Sequence, residues 1–330
     1  MSLSRLVKFP LLKLPYLCIE SVIRSSDIFD IIFFALLSRK TRRIVKSLSI
    51  SLNGIRVSLT SDKCIKLGRD HKPWNFIDGK TRGTPLVLQK NAAPLYTDKS
   101  DLSMDSYTAG NEAHALKMTL EFLNDVFRCT VDEVDIEGNN IPESGDVGVR
   151  STVNLCLIYE GVQDFGPVRN QHLNLLLEKL EVTGTFDFYI QNSGYCDPKL
   201  FKCQELLFWS NSSKWVTLEI LLQFEVPRLK FYEYPLEDIV AFITNWFHSD
   251  NKKLEYLFIQ SQHEQISLEE LQDLNSIEFS ERTQVPESGL FPVTDLSKGL
   301  EIVRHDGLRA TIHGGEEGFM NFLFYIWHNQ

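Results

Sequence analysis

Across 330 residues the chain carries 34 Lys/Arg against 44 Asp/Glu, a formal net charge of −10, and 43% of its residues are hydrophobic. That apolar share can build a sizeable core and excludes a disordered chain; the length leaves room for two domains, or for a small module and a larger one. The charge is unevenly placed, because residues 1–50 hold nine Lys/Arg against three Asp/Glu while the other 280 hold 25 against 41. A basic head on an acidic body suggests two modules, and an acidic body argues against nucleic-acid binding, which needs cations to neutralise phosphates.

The head reads as three short helices. Leu14-Pro15 opens an apolar strip, and a first helical stretch puts Ile19, Val22 and Ile23 on one side. A second helix follows Asp27, a suitable N-cap, and carries Phe29, Ile32, Phe33 and Leu36. Its sequence IFDIIFFALL is apolar around most of its circumference, more than a forty-residue unit can bury. Two readings follow: the surplus meets a partner, or it is covered by the rest of this chain. The run is about half the ~20 residues a membrane-spanning helix needs, and Asp30 interrupts it. A secretory signal is excluded because Pro10, Lys13 and Pro15 break its apolar stretch and no small-residue cleavage site follows before Glu20. The sequon at Asn211 is then a chance match. Arg39, Lys40, Arg42, Arg43 and Lys46 close the unit; they fit a basic localisation patch, or more simply the solvated face of an amphipathic helix with Ile44, Val45 and Leu48 inside.

The body begins with SLSISLNGIRVSLTSD, where Asn53-Gly54 between alternating apolar runs predicts a β-hairpin over 47–60. PLVLQ at 85–89 is a further strand candidate, and Leu116, Leu120, Leu123 and Phe127 predict a helix from Asn111. Strand-like segments then recur at Val134, Leu155, Leu180, Leu206, Leu229, Leu257 and Ile277, over residues of about 111–280, close to the 20–29-residue period of leucine-rich repeats. Helical runs such as HLNLLLEKL, WVTLEILLQF, PLEDIVAFITNWFHSDN and SLEELQDL fill most gaps. The pattern fits a curved α/β solenoid, or a plainer α/β domain with evenly spaced strands. Asp306-Gly307 predicts a second hairpin, within a closing segment 300–328 that caps the sheet's open edge.

The Leu14-Pro15 start, the Val22-Ile23 pair, the Asp27-to-Leu37 helix and the SRKTRRIVKSL ending resemble an F-box, and IVRHDGLRATI resembles the close of a type 2 F-box-associated domain. The order of these pieces resembles most the large nematode-expanded F-box family carrying that domain. The resemblance implies a mixed α and β fold: a three-helix F-box over 1–48, then a substrate-recruiting domain over 49–330. It also implies a Skp-type adaptor as partner, and through it a cullin. The adaptor would meet Leu14, Pro15, Ile19, Val22, Ile23, Phe29, Ile32, Phe33 and Leu36. Phe33-Phe34-Ala35 departs from the family, whose members often place a polar residue there.

Catalytic signatures are missing: there is no phosphate loop, no H-E-x-x-H and no G-x-S-x-G. His305-Asp306 and Asp70-His71 are adjacent pairs that cannot orient one another on a strand, and His114 and His248 read as structural or solvated. Gly314-Gly315-Glu316-Glu317-Gly318 puts acids where a phosphate cradle needs none. The six cysteines form no Cys-x-x-Cys, so no metal and no cofactor is expected; Cys18 and Cys156 read as core, and reduced thiols suit the cytoplasm or nucleus. The expectation is a non-catalytic substrate receptor of a cullin-type ubiquitin ligase, with a stand-alone interaction protein or scaffold as the alternative. If Leu180, Val182, Leu229, Phe231, Leu257 and Ile259 point inward, alternation turns Glu181, Thr183, Lys230, Tyr232, Phe258 and Gln260 outward as a target-binding row, unless Tyr232 and Phe258 are covered and belong to the core.

Overall fold

The computed structural model describes residues 11–68, 71–79, 84–86, 88, 95–100, 103–108, 110–159, 167–190, 194–234, 239–261, 276–278, 300–314 and 320–328. The chain divides into two compact units, Met1–Asp132 and Glu133–Gln330. The expected boundary at residue 48 falls inside the first unit, where its third helix gives way to its first strand. Asp70, SLEELQDL and Gly315 to Gly318 lie outside the described residues.

In the first unit, α1 (Tyr16–Arg24), α2 (Ile28–Leu37) and α3 (Arg39–Ser47) form the expected three-helix arrangement. Local chemistry sets each start. Asp27 accepts the Phe29 N–H at 2.9 Å; Ser38 and Thr41 form a reciprocal capping box. Such caps are each worth about 1 kcal/mol. Ile19, Ile23, Phe29, Ile31, Ile32, Ala35 and Val45 are buried. Asp27 pairs with Lys72 at 2.5 Å and Asp30 pairs with Lys99, tying α2 to strands of the same unit. Lys46 meets Asp125 at 2.6 Å, and Arg42 stacks over Phe122 while donating to the Leu88 carbonyl. Two of the five cations of the basic segment thus have partners within the unit, and Arg39, Lys40 and Arg43 are exposed on the helix face.

The strands are β1 (Ser51–Leu59), β2 (Cys64–Leu67), β3 (Lys72–Asp78), β4 (Thr84–Leu86), β5 (Leu95–Lys99) and β6 (Met104–Thr108), ordered β1-β2-β3-β6-β5-β4; α4 (Glu112–Val126) follows. The hairpin expected at Asn53-Gly54 is absent, since β1 runs straight through it. Leu52 and Ile55 are three residues apart, an odd step, yet both are buried. One extra residue at Gly54, with φ of +75°, absorbs the mismatch as a bulge would. A hairpin and a bulge both use a left-handed glycine, so local chemistry alone did not separate them. Helix α4 starts as expected after Asn111 and buries Leu116, Leu120 and Leu123.

The second unit holds β7 (Arg128–Glu137, from Glu133 on), β8 (Ser151–Thr152), β9 (Asn154–Tyr159), α5 (Pro167–Lys179), β10 (Glu181–Val182), β11 (Thr185–Ile190), β12 (Glu205–Phe208), α6 (Leu218–Leu221), β13 (Arg228–Tyr232), α7 (Ile239–His248), β14 (Tyr256–Ser261), β15 (Ser276–Glu278), β16 (Leu300–Val303), β17 (Arg309–Gly314) and β18 (Met320–Trp327). Strands β7-β9-β11-β12-β13-β14 are parallel neighbours, and β18-β17-β16-β15 continue the sheet antiparallel. One row of paired residues, Val134, Leu155, Phe186, Leu206, Leu229 and Leu257, crosses the parallel strands and is fully buried. Phe201 and Phe224 pack beneath it, and Trp246 of α7 sits edge-on to Phe324 at 4.9 Å.

Five of these six positions match the expected strands; the one at Leu180 does not. Leu180 closes α5, its N–H donating to the Leu176 carbonyl at 2.8 Å. Among the described residues Glu181–Val182 pairs with β8 in a separate two-stranded sheet. The ladder strand is β11, whose Phe186, Phe188 and Ile190 alternate inward. The closing hairpin forms as expected: Arg304 and Leu308 face each other across Asp306-Gly307, with Gly307 at φ +85°. It delivers β18 against β14, so the last parallel strand is not an edge.

Candidate functional site

Helix α1 shows how the head divides its surface. Ile19 and Ile23, one turn apart, face inward, which turns Leu17 and Val22 outward. Among the described residues eight large apolar side chains stand open, and five of them, Leu12, Tyr16, Leu17, Val22 and Leu37, lie between positions 12 and 37. Leu17 is 76% exposed and Leu37 73%. Of the nine residues expected at an adaptor, Pro15 and Val22 are open, Leu14, Phe33 and Leu36 are half-buried, and Ile19, Ile23, Phe29 and Ile32 are buried in the chain itself. Leu12, Tyr16, Leu17 and Leu37 are exposed but were outside the expected set; of these the 3.6-residue period turns only Leu17 away from Ile19 and Ile23, because Tyr16 shares their stripe and Leu12 and Leu37 lie outside α1.

The second unit presents one sheet face to its helices and the other away from them. Lys230, Tyr232, Phe258 and Gln260 lie on that second face, as alternation requires, but two are not open. Lys230 is fully buried, with its ammonium 2.5 Å from Glu205 and over the ring of Tyr256. Phe258 belongs to a buried cluster with Tyr256 and Leu323, against which Tyr232, Tyr325 and Trp327 pack. Terminal strand β18 supplies Leu323 directly opposite Phe258, so the covered reading holds for Phe258. Tyr232 and Gln260 stay partly open. Glu181 and Thr183 are exposed but lie at β10, off this sheet, because β11 occupies the place they were given.

The strand shift conceals a different row. Tyr189 stacks on Trp209 at 5.0 Å and 8°, and Trp209 on Tyr232 at 4.0 Å and 9°. All three rings are partly open. The Trp209 indole points its N–H at Asp187, at 3.5 Å. Burial raises the Asp187 carboxyl above its usual range; the Trp209 hydrogen bond opposes this and the neighbouring Glu205 and Glu133 add to it. Burial, then Asp187, Asp135 and Glu133, push the Cys156 thiol up to about 12. Burial, then Asp187 and Cys156, push the Tyr189 phenol to about 12.

Cys18 is exposed on α1 and Cys156 faces the partly open sheet side, so neither is the core residue expected. Asp306 is held by the buried Arg304 guanidinium at 2.8 and 2.9 Å rather than by His305, which is exposed. His114 is exposed as well. Among the described residues no three His, Cys, Asp or Glu side chains are grouped to hold a metal, and no helix is long and apolar enough to cross a membrane.

Residues 197–259 match a protein-family model described as F-box associated, in agreement with the type 2 F-box-associated resemblance. The matched stretch includes β12, α6, β13, α7 and most of β14. Comparisons with curated proteins and with solved structures returned no match.

Proposed function

We propose that this chain, F-box associated over residues 197–259, is the substrate-recognition subunit of an SCF-type cullin ubiquitin ligase. The observation that carries the reading is the set of open apolar side chains on the three-helix head, Leu12, Tyr16, Leu17, Val22 and Leu37. Burying each such side chain against a Skp-type adaptor is worth about 1.5–3 kcal/mol at full burial. The adaptor brings the cullin, and the second unit holds the target. The chain acts by proximity: it raises the effective concentration of a target lysine near a thioester carried by another subunit, and it performs no bond chemistry itself. It works in the cytoplasm or nucleus, where such thiols stay reduced. Residues aligned at 134, 155, 186, 206, 229 and 257 support a leucine-rich-repeat-like second unit.

Co-purification with a Skp-type adaptor tests this. Leu17→Glu with Leu37→Glu should abolish capture while leaving the thermal unfolding curve in place, because both side chains are mostly in solvent already. Undiminished capture by that double variant would overturn the assignment and leave a stand-alone interaction protein.

A further inference from the structure

A cavity of about 290 Å³ lies at the N-terminal edge of the second unit's parallel strands, where α5 ends and β10 begins. Its inner wall is apolar: Leu177, Leu180, Val182, Phe186 and Phe201 line it and are all buried. Its rim is charged. Arg150, Lys179 and Lys202 stand there with Glu178 and Glu181, and all five are exposed. The Lys179 ammonium donates to the Ser144 carbonyl at 2.7 Å. Among the described residues the side chains of Arg150 and Lys202 make no hydrogen bond or ion pair. Glu225 attracts Lys202 from outside the cavity, but that carboxylate is paired with Lys253.

Size and charge together narrow the occupant. The volume is at the low end of the ~300–1,000 Å³ of small-molecule pockets, room for one large side chain and not for a cofactor. The rim sets three positive charges against two negative ones. One negative charge on the occupant balances it, and a phosphate dianion overshoots. A single residue that is both apolar and singly anionic is the last residue of a chain, which carries a free carboxylate beside its side chain.

We propose that this cavity binds the free carboxyl terminus of a protein partner that ends in a large apolar residue. The side chain enters against Val182, Phe186 and Phe201. The Arg150 guanidinium forks onto the carboxylate and the Lys202 ammonium adds a point charge. Glu178 and Glu181 accept amide N–H groups of the preceding residues, contacts that a free fatty acid cannot make. That this terminus belongs to a ligase target rests on the reading above; the binding itself does not.

The test uses the full chain and a short peptide of alternating Ser and Gly that ends in Leu with a free carboxylate, read by titration calorimetry. Its C-terminal amide, a counterpart ending in Ser, and octanoate serve as comparison probes. The free-acid peptide should bind saturably and weaken with added salt. Each comparison probe should bind about tenfold more weakly. Arg150→Gln with Lys202→Gln should cost at least about tenfold without moving the thermal unfolding curve, because both side chains are exposed. Lys66→Gln, an exposed cation on β2 of the other unit, should leave the affinity unchanged. Amide or octanoate binding as tight as that of the free acid, no saturable binding, or full affinity in the double variant overturns the proposal. Adaptor capture is measured on the same preparations. Capture without peptide binding defeats this inference alone, and peptide binding without capture defeats the ligase reading alone.

Discussion

Replacing Lys230 by Met separates a core residue from a contact residue. Its ammonium is wholly buried, 2.5 Å from the Glu205 carboxylate, which is itself only 13% exposed. At an effective dielectric of about 20 that separation gives an attraction of about 7 kcal/mol. Desolvating two ions costs several kcal/mol each, so the pair as a whole adds little to stability. Removing one partner is different, because the burial cost of the other charge remains. Lys230→Met should therefore lose about 3–5 kcal/mol, while Lys230→Met with Glu205→Leu should recover to within about 1 kcal/mol of the native chain. Urea unfolding of the native chain, the two single variants Lys230→Met and Glu205→Leu, and the double variant, followed by tryptophan fluorescence and far-ultraviolet circular dichroism, measures the cycle. A single variant that costs less than about 1 kcal/mol, or a double variant whose loss equals the sum of the singles, refutes the reasoning and returns Lys230 to the open surface.

Two further outcomes follow from backbone and charge. Gly145 sits at φ +67°, and a Cβ there would meet the backbone of Leu175 and Leu176 at 2.5–2.7 Å; Gly145→Ala should cost more than about 2 kcal/mol, against about 1 for Gly307→Ala, which has left-handed strain but open space. Equal losses in urea titrations would show that the α5 contact yields. Arg304 beside Asp306 holds that carboxyl well below the usual aspartate range. Its stabilising contribution is therefore complete above about pH 4 and is lost as pH falls through the lower folded-state value. Asp306→Asn should lower stability at neutral pH, with the gap to the native chain closing on acidification; a gap unchanged down to about pH 2 contradicts the assignment.

The second unit's inner ladder was largely readable because full burial leaves a strong mark. Val134, Leu155, Leu206, Leu229 and Leu257 are all buried, and burial requires them to be apolar. The head's three helices were readable for the same reason together with their caps, Asp27 and Ser38. What escaped was wherever one local signal serves two structures. Asn53-Gly54 satisfies both a turn and a bulge, and only the burial of Leu52 and Ile55 on one side selects the bulge. Leu180-Glu181-Val182 alternates like a strand, yet Leu180 is claimed by the hydrogen-bond ladder of α5.

That second error shows why sites are harder to read than cores. Placing the third ladder strand at 180 instead of 186 changes little in the core, since either segment offers alternating apolar residues to fill the layer. On the opposite face the same change is total. It replaces Asp187 and Tyr189 with Glu181 and Thr183, and so erases both the end of the aromatic ladder and a carboxylate beside it. A core tolerates substitution of one apolar residue for another because burial is nondirectional. Stacking and ion pairing need particular groups in particular neighbours, so they become legible only after the register is fixed. The covered Lys230 and Phe258 follow the same logic, because their concealment depends on β18 lying beside β14, a pairing across more than sixty residues of chain that no local pattern encodes.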